Sequence, residues 1–515
     1  MTPLNFVRSE IDDCSRVDPK LVAFRHEADQ IEYSELHSRI VSLGQALKAA
    51  YGSEERRVLC IYLPKSLAQT ILLAGMLYLE IPCLCLSAEN PLSEVRRIFA
   101  RYPMSGLIVT KSDLPRFKSS AEELLWASAI PLSLAKPNDA YLLLPNALPR
   151  AEQLDFHWLL HTSGSTGEAK AVMISQHNLQ QRAVGEAELF NIQKQDRLLN
   201  LLPFTHDLGL NQLLTAILTH STLELFTKIT PLDIAKKIAQ SPDYGITGMP
   251  SIWNSFLAIA EKHTLHIEHQ HFITVSGGSM TEENLHKLRQ VFHQARIIKT
   301  YGQTETFRSL FIDDAAQIRE NSAGQTLKGV HVEIVNDSGQ SALVGETGQL
   351  VHYGAGTMQG YWQDEALTST KIKKNLLGET GILSGDYFKV LTEGKFQYVG
   401  RRDDLIKLRG RRFHLGEIED SILRSGLVES VSVLLNDDLA AHRESLIAFV
   451  VPKSPVHNLH TRILNHCAIE LPSFKMPLEF VQCSTLPLGS NLKVDRQKLL
   501  STYRLNKQED RDALC

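Results

Sequence analysis

The sequence predicts an α/β protein: a large N-terminal domain of βαβ subdomains, a small β-rich subdomain, then a small α+β C-terminal domain. Three observations carry this expectation. Residues 31–130 alternate amphipathic helical patterns with short apolar runs, the signature of βαβ units and a parallel sheet. The texture changes near residue 322 to short strands broken by Asp-Ser-Gly and Gly-Glu-Thr-Gly turns. At 515 residues the chain exceeds one ordinary core, so more than one domain is expected.

Taken in order, "YSELHSRIVSLGQALKAA" reads as an amphipathic helix, "RRVLCIYL" as a strand and "SLAQTILLAGMLYLE" as a helix again. The most apolar window, "TILLAGMLYLEIPCLCL" (70–86), carries Glu80 and Pro82 and is barely long enough to span a bilayer. It reads as a buried helix followed by a buried strand. The proline-rich stretch 131–150 reads as a connector, and further α/β alternation runs to about residue 310. After the β-rich subdomain, "GRRDDLIKLRGRRF" (400–413) is a charge-dense stretch read as a solvated hinge and domain boundary. Domains are therefore expected at 1–400 and 403–515, the second of them α+β.

Composition narrows the function. Hydrophobic residues make up 43% and charged residues 22%, ordinary for a globular protein. A net charge of −4 gives no reason to expect nucleic acid as a partner. The opening "MTPLNFVRSEIDDC" lacks the apolar core of a secretory leader. Seven cysteines are scattered, Cys83-x-Cys85 is too tight and isolated for zinc, and "RDALC" is not a prenylation box. Reduced thiols, a cytoplasmic location and no membrane span are expected.

The stretch "LLHTSGSTGEAKAVMIS" (159–175) is the first sign of chemistry. Thr162, Ser163, Ser165 and Thr166 surround Gly164 and Gly167, and Lys170 follows. Glycines let backbone N–H groups turn inward, hydroxyls add donors and the ammonium adds a compact charge. Such a loop cradles phosphate oxygens. The spacing Gly164-x-x-Gly167-x-x-Lys170 is not the Walker pattern, and "AVMIS" reads as a strand where a Walker loop opens a helix. Walker-type hydrolysis is disfavoured.

Together with "YGQTE" (301–305), "SGDYF" (384–388), "YVGRRDDLIKLRG" (398–410) and "LPLGSNLKVDR" (486–496), this loop resembles the adenylate-forming superfamily. That superfamily comprises acyl-CoA synthetases, fatty acyl-AMP ligases, peptide-synthetase adenylation domains and luciferases. Weaker matches, "YSEL", "GMLYLEIPCLCLSAENP", "SGGSM" and "GYW", fall between them in the family's order. The resemblance implies two steps. A carboxylate attacks the α-phosphate of Mg·ATP, giving an acyl-adenylate and pyrophosphate. A thiol of coenzyme A or of a carrier protein's phosphopantetheine then takes the acyl group. Bringing two anions into contact costs several kcal/mol at an effective dielectric of about 20, so cationic groups and a metal are obligatory.

By that resemblance Thr162, Ser163, Gly164, Ser165, Thr166, Gly167 and Lys170 hold the β- and γ-phosphates. Tyr301, Gly302, Gln303 and Thr304 wall the adenine, with Gly278 of "SGGSM" beside nucleotide and acid, and Glu305 with Thr162 binds Mg²⁺. Asp386 accepts from the ribose hydroxyls, with a turn role after Gly385 as its plain alternative. Tyr398 and Arg401 add nucleotide contacts. Asp403 matches the hinge of a mobile C-terminal lid, and Lys493 the lysine that bridges carboxylate and α-phosphate. Preorganised charge of that kind is worth roughly a hundred- to a thousandfold in rate. Two departures stand out: Ala169 replaces the usual proline and Leu492 the usual glycine, leaving the charged groups in place. A non-catalytic nucleotide-binding homologue is the alternative they raise.

The acid pocket is expected along "LNLLPFTHDLGLNQLLTAIL" (199–218). His206 there resembles the gate of fatty acyl ligases. Asp207 resembles the carboxylate that pairs with a substrate ammonium in ligases loading amino acids, and it can also cap the following helix. Arg308 either meets a polar group of the acid or, as expected of an arginine, lies on the surface. "IKLRGRRFHLGEIE" resembles the peptide-synthetase type, which implies a free-standing ligase delivering to a separate acyl or peptidyl carrier protein, with coenzyme A as the alternative acceptor. The compact spacing from Glu305 to Asp386 leaves no room for the insertion of long-chain ligases.

Overall fold

The structure is a computed structural model. It describes the chain except residues 1–4, 53–56, 119–125, 150–153, 163–169, 229, 241–242, 264, 266, 268–270, 314–317, 320, 393, 403–404, 409–410, 439–442, 456, 488–493 and 513–515. The backbone gathers into two compact units. One comprises Met1–Ile318, Ala323–Val332 and Val351–Ser384; the other comprises Arg319–Ser322, Glu333–Leu350 and Gly385–Cys515.

The first unit carries two large sheets. In one, the strands Trp158–Thr162, Cys83–Leu86, Leu59–Tyr62 and Gly106–Thr110 lie side by side and parallel. Their apolar residues are buried on both faces, as the near-continuous Val/Leu/Ile/Cys runs foretold. The predicted buried helix and strand are Leu67–Tyr78 and Cys83–Leu86. Ser66 caps the helix by accepting from the Gln69 N–H at 3.2 Å.

The expected connector at 131–150 is corrected. Ala140–Pro145 is a strand antiparallel to Gly106–Thr110, and Trp126–Leu132 pairs with it in turn. Leu142 and Leu143 are fully buried, so the apolar run outweighed the flanking prolines, which stand at or beyond the strand ends.

In the other sheet, Arg296–Gln303, Phe272–Ser276, Tyr244–Gly248, Arg197–Asn200, Thr222–Leu225 and Val22–His26 run parallel in that order. Phe307–Ile312 closes back antiparallel on Arg296–Gln303. Helices Gln176–Phe190 and Asp207–Thr219 pack on each other. The latter is buried at every residue from Asp207 to Ile217, its polar Asn211, Gln212 and Thr215 included. Because parallel strands all end at one edge, the segments after Asn200, Gly248, Ser276 and Gln303 share that edge, where α/β sheets place their ligands.

The β-rich texture after residue 322 resolves into Val330–Val335, Thr347–Gly354, Thr380–Thr392 and Lys395–Arg401. Further along, Val428–Asp438, Arg443–Pro452 and Glu479–Gln482 form a sheet with helices Leu415–Arg424, Leu459–Glu470 and Arg496–Asp512, the expected α+β arrangement. Ile418, Ile422, Val433, Ala448 and Ile463 form its core. The charge-dense segment contributes a small hairpin, Leu405–Leu408 with Arg411–His414.

Candidate active site

The strands on either side of the hydroxyl-rich stretch pair with each other. Trp158–Thr162 and Lys170–Ile174 run antiparallel with Thr162 opposite Lys170, so "AVMIS" is a strand as read from sequence. Ser163, Gly164, Ser165, Thr166 and Gly167 lie outside the described residues. Lys170 sets its ammonium 5.6 Å from the ring centre of Tyr361, a cation–π contact. Tyr361 lies on the short strand Gly360–Tyr361, which pairs with Lys170–Ile174. Its hydroxyl donates to Glu305 Oε1 at 2.7 Å, so Lys170, Tyr361 and Glu305 form one connected group.

The turn carrying Thr304 and Glu305 is tightly built. A Cβ on Gly302 would lie 1.6 Å from the Phe307 carbonyl oxygen, so only glycine fits there. Phe307 takes a left-handed φ of 63°, rare for so bulky a side chain. It is held between two guanidiniums, Arg182 at 5.5 Å and Arg308 at 5.0 Å from its ring centre. Arg182 Nη2 donates to the carbonyls of Thr304 at 3.0 Å and Gly356 at 2.8 Å, and the Met358 N–H donates to the Glu305 carbonyl at 2.7 Å. Burial pulls the Arg182 guanidinium down to about 10, against the pull of Asp207 and Glu305. His352 buttresses the same turn. Its Nδ1 meets Ser309 Oγ and its Nε2 meets the Ala355 carbonyl, each at 2.8 Å, and burial pulls it down to about 4.

His206 is the N-cap of the Asp207–Thr219 helix and Asp207 its first residue. Asp207 Oδ1 accepts from the Leu208 N–H at 2.8 Å and lies 2.6 Å from His206 Nδ1. A proton on Nδ1 makes that short contact a hydrogen bond to the carboxylate. Burial favours the neutral acid, yet His206, Arg182 and the Leu208 N–H together outweigh it and hold Asp207 well below the usual carboxylate range. His206 thus holds the N-cap position, while the oxygen that accepts the Leu208 N–H in this arrangement is Asp207 Oδ1. Lys65 anchors the loop leading here: its Nζ donates to the carbonyls of Asn200 at 2.6 Å and Phe226 at 3.2 Å, with Phe204's ring centre 6.0 Å away.

Arg308 corrects the surface expectation. Its side chain is 1% exposed and paired at 3.1 Å with Glu186, itself 1% exposed. The guanidinium also donates to Ser276 Oγ at 3.0 Å and Thr300 Oγ1 at 2.6 Å. Burial pushes the Glu186 carboxyl up, opposed by Arg308 and Asn211. Gly278 follows Gly277, whose φ is 81°, just past the end of the Phe272–Ser276 strand. Tyr301, Gly302 and Gln303 close the adjacent strand.

In the second unit Asp386 is paired in register with Arg401 across two antiparallel strands. Arg401 Nε lies 3.7 Å from Asp386 Oδ1, and Tyr398 packs edge-on against Phe388 at 5.5 Å. Asp386 lies within the Thr380–Thr392 strand, immediately after a left-handed Gly385, which corrects its reading as a plain turn residue. Asp403 and Lys493 lie outside the described residues.

Sequence reasoning missed Arg182, Glu186 and Lys65. The first two are one helical turn apart and so share a face, but nothing in the sequence distinguishes that face from a solvated one. Among the described residues no group of three or more His, Cys, Asp or Glu could hold a metal, and no helix is long and apolar enough to cross a membrane.

Comparison with known proteins converges on one group. The profile of the AMP-binding enzyme family matches residues 11–362. Tyrocidine synthase 3 of Brevibacillus parabrevis is 30% identical over 69% of this chain, which spans only 6% of that relative's length. Among solved structures, ATP-bound MatB from Rhodopseudomonas palustris superposes with a TM-score of 0.82 at 20% identity, covering 97% of this chain and 98% of its own. O-succinylbenzoate coenzyme A synthetase (MenE) from Bacillus subtilis, in complex with ATP and magnesium ion, superposes at 0.78 and 22% identity, covering 95% and 98%. The phosphate-type loop, the Glu305 turn and the profile spanning both agree: the chain belongs to the AMP-binding enzymes of the adenylate-forming superfamily.

Proposed function

We propose that this chain is an AMP-forming acid–thiol ligase that joins a small carboxylic acid to ATP as an acyl-adenylate and then passes the acyl group to a thiol. The observation that carries the reading is the Lys170–Tyr361–Glu305 group, which puts a cation and an oriented carboxylate beside the hydroxyl-rich loop. Lys170 and the loop 162–167 take the β- and γ-phosphates. Tyr301 to Thr304, with Gly278, wall the adenine. Asp386 takes the ribose, with Tyr398 and Arg401 adding nucleotide contacts.

Glu305 and Thr162 would hold Mg²⁺. A lone carboxylate fits a cation that completes its shell from phosphates and water, and the absence of a larger acidic cluster among the described residues agrees with that. When bound, the ion neutralises phosphate charge as the acid approaches. Arg182 holds the Glu305 turn in place through the Thr304 and Gly356 carbonyls.

The domains are 1–400 and 403–515, the second rotating about Asp403 to bring Lys493 between carboxylate and α-phosphate. The thiol is the phosphopantetheine of a separate acyl or peptidyl carrier protein, in the cytoplasm. Support comes from the peptide-synthetase relative and from the segment 406–419 that resembles that type.

Acid-dependent exchange of labelled pyrophosphate into ATP tests the first step. Exchange with at least one acid is expected, and Lys493→Ala should lower it a hundredfold or more while ATP affinity holds. A folded protein that binds ATP and exchanges with no acid would be a non-catalytic homologue. Single-turnover transfer then separates the acceptors: label moving to a carrier protein supports the proposal, and label moving to coenzyme A alone overturns that part.

A further inference from the structure

The helix Gln176–Phe190 continues directly from the strand Lys170–Ile174, with Ser175 as its cap, accepting from the Asn178 N–H at 3.2 Å. Asn178, Arg182 and Glu186 follow at four-residue spacing and share one face of that helix. Each takes hold of a different part of the candidate site. Asn178 Nδ2 donates to the Thr357 carbonyl. Arg182 directs both Nε, at 3.3 Å, and Nη2, at 2.8 Å, onto the Gly356 carbonyl, and Nη2 also reaches the Thr304 carbonyl at 3.0 Å. Glu186 accepts from Arg308 Nη2 at 3.1 Å.

The two segments gripped in this way pack on each other. A Cβ on Gly356 would lie 2.7 Å from the Thr306 carbonyl oxygen, and the Met358 N–H donates to the Glu305 carbonyl. Phe307 ends the same turn in its left-handed conformation, with Arg182 across its ring. A bulky residue stays in that region only where its surroundings over-determine it, and such outliers gather where geometry serves function. The frame is continuous: Thr162 pairs with Lys170, that strand leads into the helix, and the helix grips the turn that carries Glu305. Both candidate metal ligands, Thr162 and Glu305, therefore hang from one rigid run of backbone.

Resting on the ligase reading above, we propose that Arg182 is a positioning residue for the metal: it fixes the Glu305 carboxylate relative to Thr162 and Lys170, so that the site's affinity for a divalent cation is set by a helix side chain bonded to backbone carbonyls. The planar fork of the guanidinium meets two carbonyls at once, which a lysine ammonium on a flexible stem does not reproduce. Without Arg182 the turn keeps its Tyr361 and Met358 bonds, but the carboxylate is held less firmly. Loss of a group that orients a ligand weakens metal binding about ten- to a hundredfold.

Mn²⁺, which takes the same octahedral oxygen shell as Mg²⁺, tests this without turnover. Paramagnetic resonance follows its binding to protein held in excess over ATP, with no acid present. Arg182→Met should weaken Mn²⁺ binding about tenfold or more, and Arg182→Lys several-fold, while ATP affinity in EDTA holds. Arg296 supplies the control for a merely structural role: its guanidinium clamps the far end of the same helix through the Phe190 and Leu189 carbonyls, each at 3.2 Å. Arg296→Met should lower the urea midpoint and leave Mn²⁺ affinity unchanged. Wild-type Mn²⁺ affinity in Arg182→Met, or an equal loss in Arg296→Met, overturns the inference. Should Arg182→Met fail to fold, Arg182→Lys decides in the same titration, a several-fold loss supporting the inference and wild-type affinity overturning it. The titration uses neither acid nor turnover, so its result stands apart from the ligase reading, which exchange with no acid would overturn.

Discussion

Two arginine–carboxylate pairs in this molecule look alike on paper and differ in physics. Arg308–Glu186 sits in the first unit with both side chains 1% exposed, at 3.1 Å, hemmed in by Ser276, Thr300 and Asn211. Arg401–Asp386 sits on a hairpin of the second unit at 3.7 Å, with the arginine 43% exposed. Water screens the exposed Arg401 while Asp386 beside it is only 9% exposed, so this half-screened, longer contact contributes at most about 1 kcal/mol. Breaking the first pair strands a charge where nothing can solvate it. One pair is sealed inside the fold; the other has its cation in water.

The largest effect follows from breaking the buried pair on one side. Arg308→Met should cost about 3–5 kcal/mol, because Glu186 then stays buried without its partner. Adding Glu186→Leu should recover most of that loss. Urea unfolding of the two variants measures it, and a double variant no more stable than the single one would show that the charges are not coupled.

Next comes pH. Burial holds His352 at about 4, so its folded form stays neutral where the unfolded imidazole, near 6.5, takes up a proton. Stability should therefore fall as pH drops from about 6.5 to 4, by up to about 3 kcal/mol from this residue. His352→Gln should flatten that slope in urea midpoints taken at pH 7 and 4.5. Asp207 works in the opposite sense. Its carboxyl is held below the ordinary range, so its contribution is complete above about pH 4 and is lost only in stronger acid. The stability difference between wild type and Asp207→Asn should thus be the same at pH 8 and pH 5.

A smaller effect is expected where Glu305 is oriented. Tyr361→Phe removes the hydroxyl that donates to Oε1, a bond worth about 1 kcal/mol, and should raise the Mg²⁺ concentration needed for half-maximal exchange several-fold. Smallest of all is the stability change in Arg401→Ala, under about 1 kcal/mol in urea, with KM for ATP rising nonetheless. A large loss of stability there would erase the contrast between the two pairs.

Much of this was legible in the residues. The alternation of periods announced the parallel sheets, because a helix that buries one stripe and a strand that buries both faces leave different apolar patterns. Glycine at 302 is readable as a necessity only after the 1.6 Å approach of the Phe307 carbonyl is seen. The Ala140–Pro145 strand was hidden by its prolines. Arg182, Glu186, Lys65 and Arg308 were hidden for a shared reason: a charged residue reads as solvated until another element is known to cover it.

By itself, the sequence determined what neighbours in the chain decide: the main helices and strands, and the order of the motifs that place the chain in its family. Only the tertiary structure decided which charges were to be buried together, that Tyr361 would orient Glu305, and that Arg308 would turn inward onto Glu186. The physical reason is range. Backbone preference and periodicity act over a few residues, whereas the partner that makes a buried charge tolerable comes from 122 positions away and leaves no local trace.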